Sequence, residues 1–250
     1  VANKRAIAED ASELVEIDYE DLDAQLDMET AMDKSTKVIH DDLGNNLFWT
    51  RTVNQGDVSE AFKQSHIVEE VTLDFARHTG VTLETRAIVA DWDSSEEKMT
   101  IYHNGQAPHM MQSIIAKHLN LSEGLVRIIS CDVGGSFGIK VHVYPDEMVT
   151  VAISKLLKRP VKFVADRLES YSTDIHSRCH KISGKIGVDD KGKILAFEID
   201  DLSGIGPFSV YPRTSAIETN QVLNLSAASY VVPNYKAKGT VVFQNKTPMC

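Results

Sequence analysis

One short stretch constrains this chain more than any other. Residues 125–131 are a largely apolar run of strand length, and they empty into Asp132-Val133-Gly134-Gly135-Ser136-Phe137-Gly138. Three glycines within five positions remove the Cβ that normally forbids left-handed backbone. Such a turn lets main-chain N–H groups approach a ligand or an oxo group closely. It is neither of the common phosphate cradles. A P-loop needs Gly, four residues, then Gly-Lys-Ser/Thr, whereas Ile139 separates Gly138 from Lys140 and Val141 follows. The spacing Gly-x-Gly-x-x-Gly is also missing. Taken locally, the turn is either a tight corner after a strand or a backbone-lined site, and the large Phe137 among small residues favours the site.

The pattern around it is mixed. Strands are expected over residues 13–19, 68–75, 87–92, 98–103, 161–165 and 236–244. A hairpin is expected over 181–202, turning at Asp189-Asp190-Lys191-Gly192. Residues 61–67 and 213–225 read as helices. The clearest helix opens at Pro108 and places Met111, Ile114, Ile115, His118 and Leu119 on one face; another opens at Pro145 with Met148, Val151, Ala152 and Leu156. Residues 34–56 read as linker, with a second unit beginning at Asp57. Helices inserted among hairpins predict an α+β fold of mixed sheets with packed helices, not a regular βαβ winding.

Composition narrows the function classes. The net charge is −10, and residues 1–33 hold eleven acids against Lys4 and Arg5, so nearly all of the excess sits there. This argues against general affinity for nucleic acid or anionic membranes. The purely apolar runs are far shorter than the ~20 residues that cross a bilayer. Cys131, Cys179 and Cys250 lack metal-ligand spacing and are too few for a disulfide framework, which fits a reducing, cytoplasmic setting. His176 and His180 have the spacing of a helical metal pair, but no Glu stands in the zincin position and residues 170–180 do not read as helical. They are taken as surface or satisfied histidines, and Asp166-Arg167-Leu168-Glu169 as a capping and ion-pair cluster. No Ser-His-Asp order or nucleophile elbow is visible. The chain opens on Val1 without a signal-peptide pattern and stops just after a strand, so a piece of a longer polypeptide or a processed subunit is expected.

Several strings become meaningful together: Gln106-Ala107-Pro108, Val126-Arg127-Ile128, Asp132 through Lys140, Arg159-Pro160-Val161-Lys162-Phe163, Asp166 through Glu169, and Gly192-Lys193-Ile194 with Ala196. In this order and spacing the chain resembles the molybdenum-binding large subunit of the molybdenum hydroxylases, the family of xanthine dehydrogenase, aldehyde oxidase and aerobic carbon monoxide dehydrogenase. The resemblance implies that residues 56–250 are the first molybdenum-cofactor-binding domain. Residues 1–55 would then be the end of a small α/β domain plus linker. It implies hydroxylation of an aldehyde or N-heterocycle with water as oxygen source, on molybdopterin in its cytosine dinucleotide form. A second molybdenum domain would carry the general base, and partner subunits or domains would carry [2Fe–2S] and FAD. By position, Gly134, Gly135, Ser136, Phe137 and Gly138 match the loop whose N–H groups face the molybdenum oxo group. His78 falls where many members place a Gln near the metal, and Gln106 is structural or cofactor-near. Val141 lies where purine-oxidising members carry a substrate-binding Glu, which makes a xanthine-like substrate less suitable. No direct metal ligand and no catalytic residue is assigned to this chain. A carbon monoxide dehydrogenase-like subunit and a non-catalytic remnant or assembly module are the alternatives.

Overall fold

The structure is a computed structural model describing residues 1–250. In chain order its elements are α1 (Arg5–Glu13), β1 (Leu47–Gln55), α2 (Val58–Gln64), β2 (Ile67–Phe75), β3 (Ala87–Asp93), β4 (Lys98–His103), α3 (Pro108–Leu119), β5 (Val126–Ile129), α4 (Pro145–Leu157), β6 (Val161–Val164), α5 (Arg167–Thr173), β7 (His180–Val188), β8 (Ile194–Gly204), α6 (Ile217–Leu225) and β9 (Asn234–Val242). They form two compact units from interleaved segments. One comprises residues 1–24, 86–133 and 144–164, the other residues 25–85, 134–143 and 165–250.

The first unit holds a four-stranded sheet in the order β5-β4-β3-β6, with β4 parallel to β5 and β3 antiparallel to both neighbours. Strand alternation buries Ile88 and Ala90 of β3, and Met99 and Ile101 of β4. Met111, Ile114, Ile115 and Ala116 of α3 and Val151 of α4 add to the buried apolar set. Each fully buried Ile or Met stabilises by roughly 1.5–3 kcal/mol. Pro108 and Pro145 start their helices where a missing N–H costs nothing, and left-handed Asn120 and Lys158 stop them. Ser154 stitches α4 to β3: its hydroxyl donates to the Ala90 carbonyl at 3.0 Å and accepts from the Trp92 N–H at 3.2 Å.

The second unit holds a five-stranded sheet in the order β1-β9-β8-β7-β2, antiparallel except where β8 runs parallel to β9. The β7–β8 hairpin falls where the sequence placed it. Asp189 Oδ1 accepts from the N–H groups of Lys191 and Lys193 at 2.9 and 2.8 Å, and Gly192 takes the left-handed position. Helix α6 buries Leu223 against Ile199, Tyr235 and Ala237, and the Tyr235 hydroxyl donates to the Leu223 carbonyl at 2.8 Å. The helix sits so close that a Cβ on Gly239 would lie 2.4 Å from Thr219 Cγ2. Strand β2 is an edge strand, and all nine of its residues are exposed.

Three expectations are corrected. Residues 13–19 are not a strand: α1 ends at Glu13, and Leu14, Val15, Ile17 and Tyr19 lie exposed outside any sheet. Alternation of acid and apolar residues specifies a strand only where a sheet receives it. Residues 34–56 are not merely linker, because they contain β1, which pairs with β9 from Leu47↔Val242 to Gln55↔Tyr235. As an edge strand with Thr50, Arg51, Thr52 and Asn54 exposed, β1 carries the composition of a loop. Helix α6 also starts later than expected, at Ile217. No helix is long and apolar enough to cross a membrane.

Candidate functional site: a glycine turn pinned by a glutamate

The glycine-rich stretch leaves β5 after Ile129 and enters the second unit at Gly134. Its backbone takes left-handed φ values of +97° at Gly135, +51° at Phe137 and +91° at Gly138. Glycine adopts these freely; Phe137 does so at a cost of about 1 kcal/mol or more. The Phe137 ring is 80% exposed, so packing under solvent-excluded neighbours does not explain the strain.

The turn is held from outside. Glu84 Oε2 accepts from the Gly134 N–H at 2.8 Å and from Lys140 Nζ at 2.7 Å. The Glu84 N–H in turn donates to the Gly134 carbonyl at 3.3 Å. Lys140 is fully buried, and its N–H donates to Ser136 Oγ at 3.1 Å. The Glu84 segment is itself clamped. Arg167 donates to the Thr82 and Leu83 carbonyls at 2.8 and 2.7 Å, and the Thr82 hydroxyl donates to the Glu84 carbonyl at 2.7 Å. Asp166 starts α5 with a full capping box to Glu169, which places Arg167 at the helix's first position, as the sequence suggested. A Cβ on Gly134 would lie 2.5 Å from Glu84 Cβ, so this glycine is required by close approach.

The same geometry leaves donors unused. No hydrogen bond within the chain engages the backbone N–H of Phe137 or Gly138. No atom outside residues 137–139 lies within 4 Å of the place a Gly138 Cβ would take. A preorganised pair of backbone donors beside open space suits an oxygen acceptor, which is the chemistry a molybdopterin-type group would present to this turn.

The other expected residues are distributed as follows. His78 is exposed, and its backbone forms a two-way bridge with Ser177 at 3.0 and 2.8 Å. Two residues on, Gly80 runs so close to Phe137 that a Cβ would lie 3.0 Å from the Phe137 Cβ. Gln106 belongs to the first unit, just ahead of α3, whereas His78, Val141 and the turn belong to the second. Val141 closes a short 3-10 turn, Ile139–Val141, and is buried. His142, next to it, is buried with Nδ1 unpartnered; burial lowers its pKa to about 4 despite a hydrogen bond to the Tyr211 backbone. His176 and His180 are not a metal pair. His180 Nδ1 bonds Asp201 Oδ1 at 2.8 Å, and its Nε2 faces Glu218 Oε2 at 3.4 Å. Glu84 was not singled out from the sequence. A lone acid fifty residues upstream carries no local signal; the only hint was Lys140, a charge between Ile139 and Val141 that must find a partner if buried.

Comparison with known proteins identifies the family. Residues 39–250 match the family model of the molybdopterin cofactor-binding domain. The chain is 28% identical to the carbon monoxide dehydrogenase large chain of Hydrogenophaga pseudoflava, over 99% of this chain and 32% of that one. It is 31% identical to the nicotine 6-hydroxylase large subunit of Paenarthrobacter nicotinovorans, over 100% of this chain and 30% of the relative. Among solved structures, quinoline 2-oxidoreductase from Pseudomonas putida 86 superposes with a TM-score of 0.94 at 27% identity, covering 99% of this chain and 31% of that one. The chain thus spans about a third of the length of these relatives. Matched over most of its length, it belongs to the molybdopterin cofactor-binding domain family of the molybdenum hydroxylases.

Proposed function

We propose that this chain forms one wall of the cofactor site in a molybdenum hydroxylase that oxidises an aldehyde or N-heterocycle with water as oxygen source. One observation carries the reading: the turn Gly134–Gly138 offers the unused N–H groups of Phe137 and Gly138 beside open space, on backbone pinned by Glu84. When bound, the molybdenum cofactor would supply the oxidation itself, and the cytosine dinucleotide form of molybdopterin is the form proposed. The chain's part is to receive oxygen acceptors of that group with preorganised donors and to keep side-chain bulk away from it. A further molybdenum domain with the general base, and [2Fe–2S] and FAD partners, complete the proposed enzyme; the cofactor-binding part begins ahead of residue 56 and includes β1, the setting is cytoplasmic, and the chain alone is inactive. Apolar, buried Val141 favours substrates other than purines. Similarity to the carbon monoxide dehydrogenase large chain supports a second reading, oxidation of carbon monoxide.

The test uses the complete multi-subunit enzyme with Ser136→Gly and Gly138→Val. Gly138→Val places a β-branched side chain on a left-handed backbone and fills the open space, so molybdenum content or turnover should fall about 100-fold with the fold retained. Ser136→Gly should be mild, at the cost of about 1 kcal/mol for its bond from the Lys140 N–H. Normal metal content and rate in Gly138→Val would reduce the turn to a structural corner.

A further inference from the structure

We infer that Glu84 is the positioning residue of the glycine turn, aiming the Phe137 and Gly138 donors, and that Lys140 serves to hold the Glu84 carboxylate in place; this rests on the cofactor-site reading above. A single oxygen atom, Oε2, takes both the N–H that opens the turn, at Gly134, and the ammonium that closes it, at Lys140. Between these two anchors the chain has three left-handed residues, and the Lys140 N–H donates to Ser136 Oγ at 3.1 Å. Within the segment, Ile139 donates to the Ser136 carbonyl at 2.9 Å. Remove Oε2, and Gly134 and Lys140 lose their common point of attachment. The anchor is stiff because Glu84 belongs to a segment fixed on both sides, by its reciprocal backbone bond to Gly134 and by Arg167 on the two preceding carbonyls.

The geometry separates this role from a plain ion pair. Glu84 is 40% exposed, while the Lys140 side chain is 1% exposed. A carboxylate open to solvent is screened and adds little to global stability. Its leverage is local, on the backbone between residues 134 and 140. The buried ammonium, by contrast, cannot be left unpaired. Single substitution at Glu84 therefore confounds two effects, and the informative variants remove the charge pair in both arms.

In the complete enzyme, Glu84→Ala/Lys140→Met removes charge and acceptor. Glu84→Gln/Lys140→Met removes the charges but keeps an amide oxygen for the Gly134 N–H. Three quantities are read: hydrogen–deuterium exchange of residues 132–141, molybdenum content, and kcat against KM. In the Ala/Met variant, exchange of the turn should rise about tenfold or more, the loss expected of a hydrogen bond. Its kcat should fall about 100-fold with KM changed far less, as expected when transition-state donors are misaimed. The Gln/Met variant should regain slow exchange and most of kcat. Wild-type exchange in Ala/Met overturns the inference. So does equal damage in both variants, which would assign the effect to the lost charges. A wild-type enzyme without molybdenum would defeat the cofactor-site reading while the exchange arm still decides the role of Glu84.

Discussion

Each compact unit holds a buried cation clamped by two carboxylates, and the two clamped cations differ. In the first unit Arg86, with no exposed surface, pairs with both oxygens of Asp146 at 2.7 Å and with Glu147 Oε1 at 3.2 Å, its guanidinium 3.7 Å from the centre of the Tyr144 ring. Both acids stand in the first turn of α4, so the clamp also satisfies the positive end of that helix. In the second unit the cation is His180 on β7, between Asp201 on β8 and Glu218 on α6, with Arg178 also bonded to Glu218 through its N–H and its guanidinium. Burial opposes a charged His180, but the hydrogen bonds and charges of Asp201 and Glu218 prevail and raise its pKa to about 9. The same set lowers the pKa of Glu218, against its own burial. A guanidinium stays charged across the whole accessible range, whereas an imidazolium can be discharged. The first clamp is therefore permanent on its cationic side, and the second is conditional on pH.

Breaking the permanent clamp should give the largest effect. Arg86→Met leaves Glu147 buried without its guanidinium partner, and the expected loss is about 3–5 kcal/mol in urea unfolding. A loss under about 1 kcal/mol would mean that the site repacks or admits water. The conditional clamp predicts an alkaline weakness of second rank. The folded pKa of His180 is raised, so its stabilisation is fully present below its ordinary value near 6.5 and drains away as pH climbs through about 9. The contribution is on the order of 3 kcal/mol. Protection of residues 180–188, taken relative to intrinsic base-catalysed exchange, should fall over that window in wild type, and His180→Gln should abolish the dependence. A flat profile would contradict the clamp. Buried His142 sharpens the contrast with the opposite sign. Its folded pKa is lowered to about 4, so its stabilisation is present above about 6.5 and disappears as pH falls toward 4. Smallest of all should be Lys236→Ala. That removes an exposed pair with Glu198, worth under about 1 kcal/mol and weaker still in high salt, as chemical denaturation at two ionic strengths would show.

The contrast also shows why some features were legible in sequence and others were not. The Pro-initiated helices, the capping box at Asp166, the β7–β8 hairpin and the glycine turn are encoded within a dozen residues each, in periodicity, caps and backbone freedom. The clamps and the turn's anchor are not. Glu84 meets Gly134, His180 meets Glu218, and Arg86 meets Asp146 only after the chain has folded. A charge in a polar-looking stretch gives no sign of which distant group it will bury against. Strand β1 escaped for a related reason: its edge position lets it keep polar residues, and its partner β9 lies near the other end of the chain.

That last pairing sets an order of events during synthesis. The first unit has all its segments once residue 164 has emerged. The five-stranded sheet cannot close until β9, residues 234–242, leaves the ribosome, because β9 lies between β1 and β8. At about 5–20 residues per second, β1 waits on the order of ten seconds or more for its only neighbour. Through that interval its ladder groups stay open to other partners. Yield in the cell is then set by what shields residues 47–55 while the last strand is being made, and slower translation of the final third should lower it.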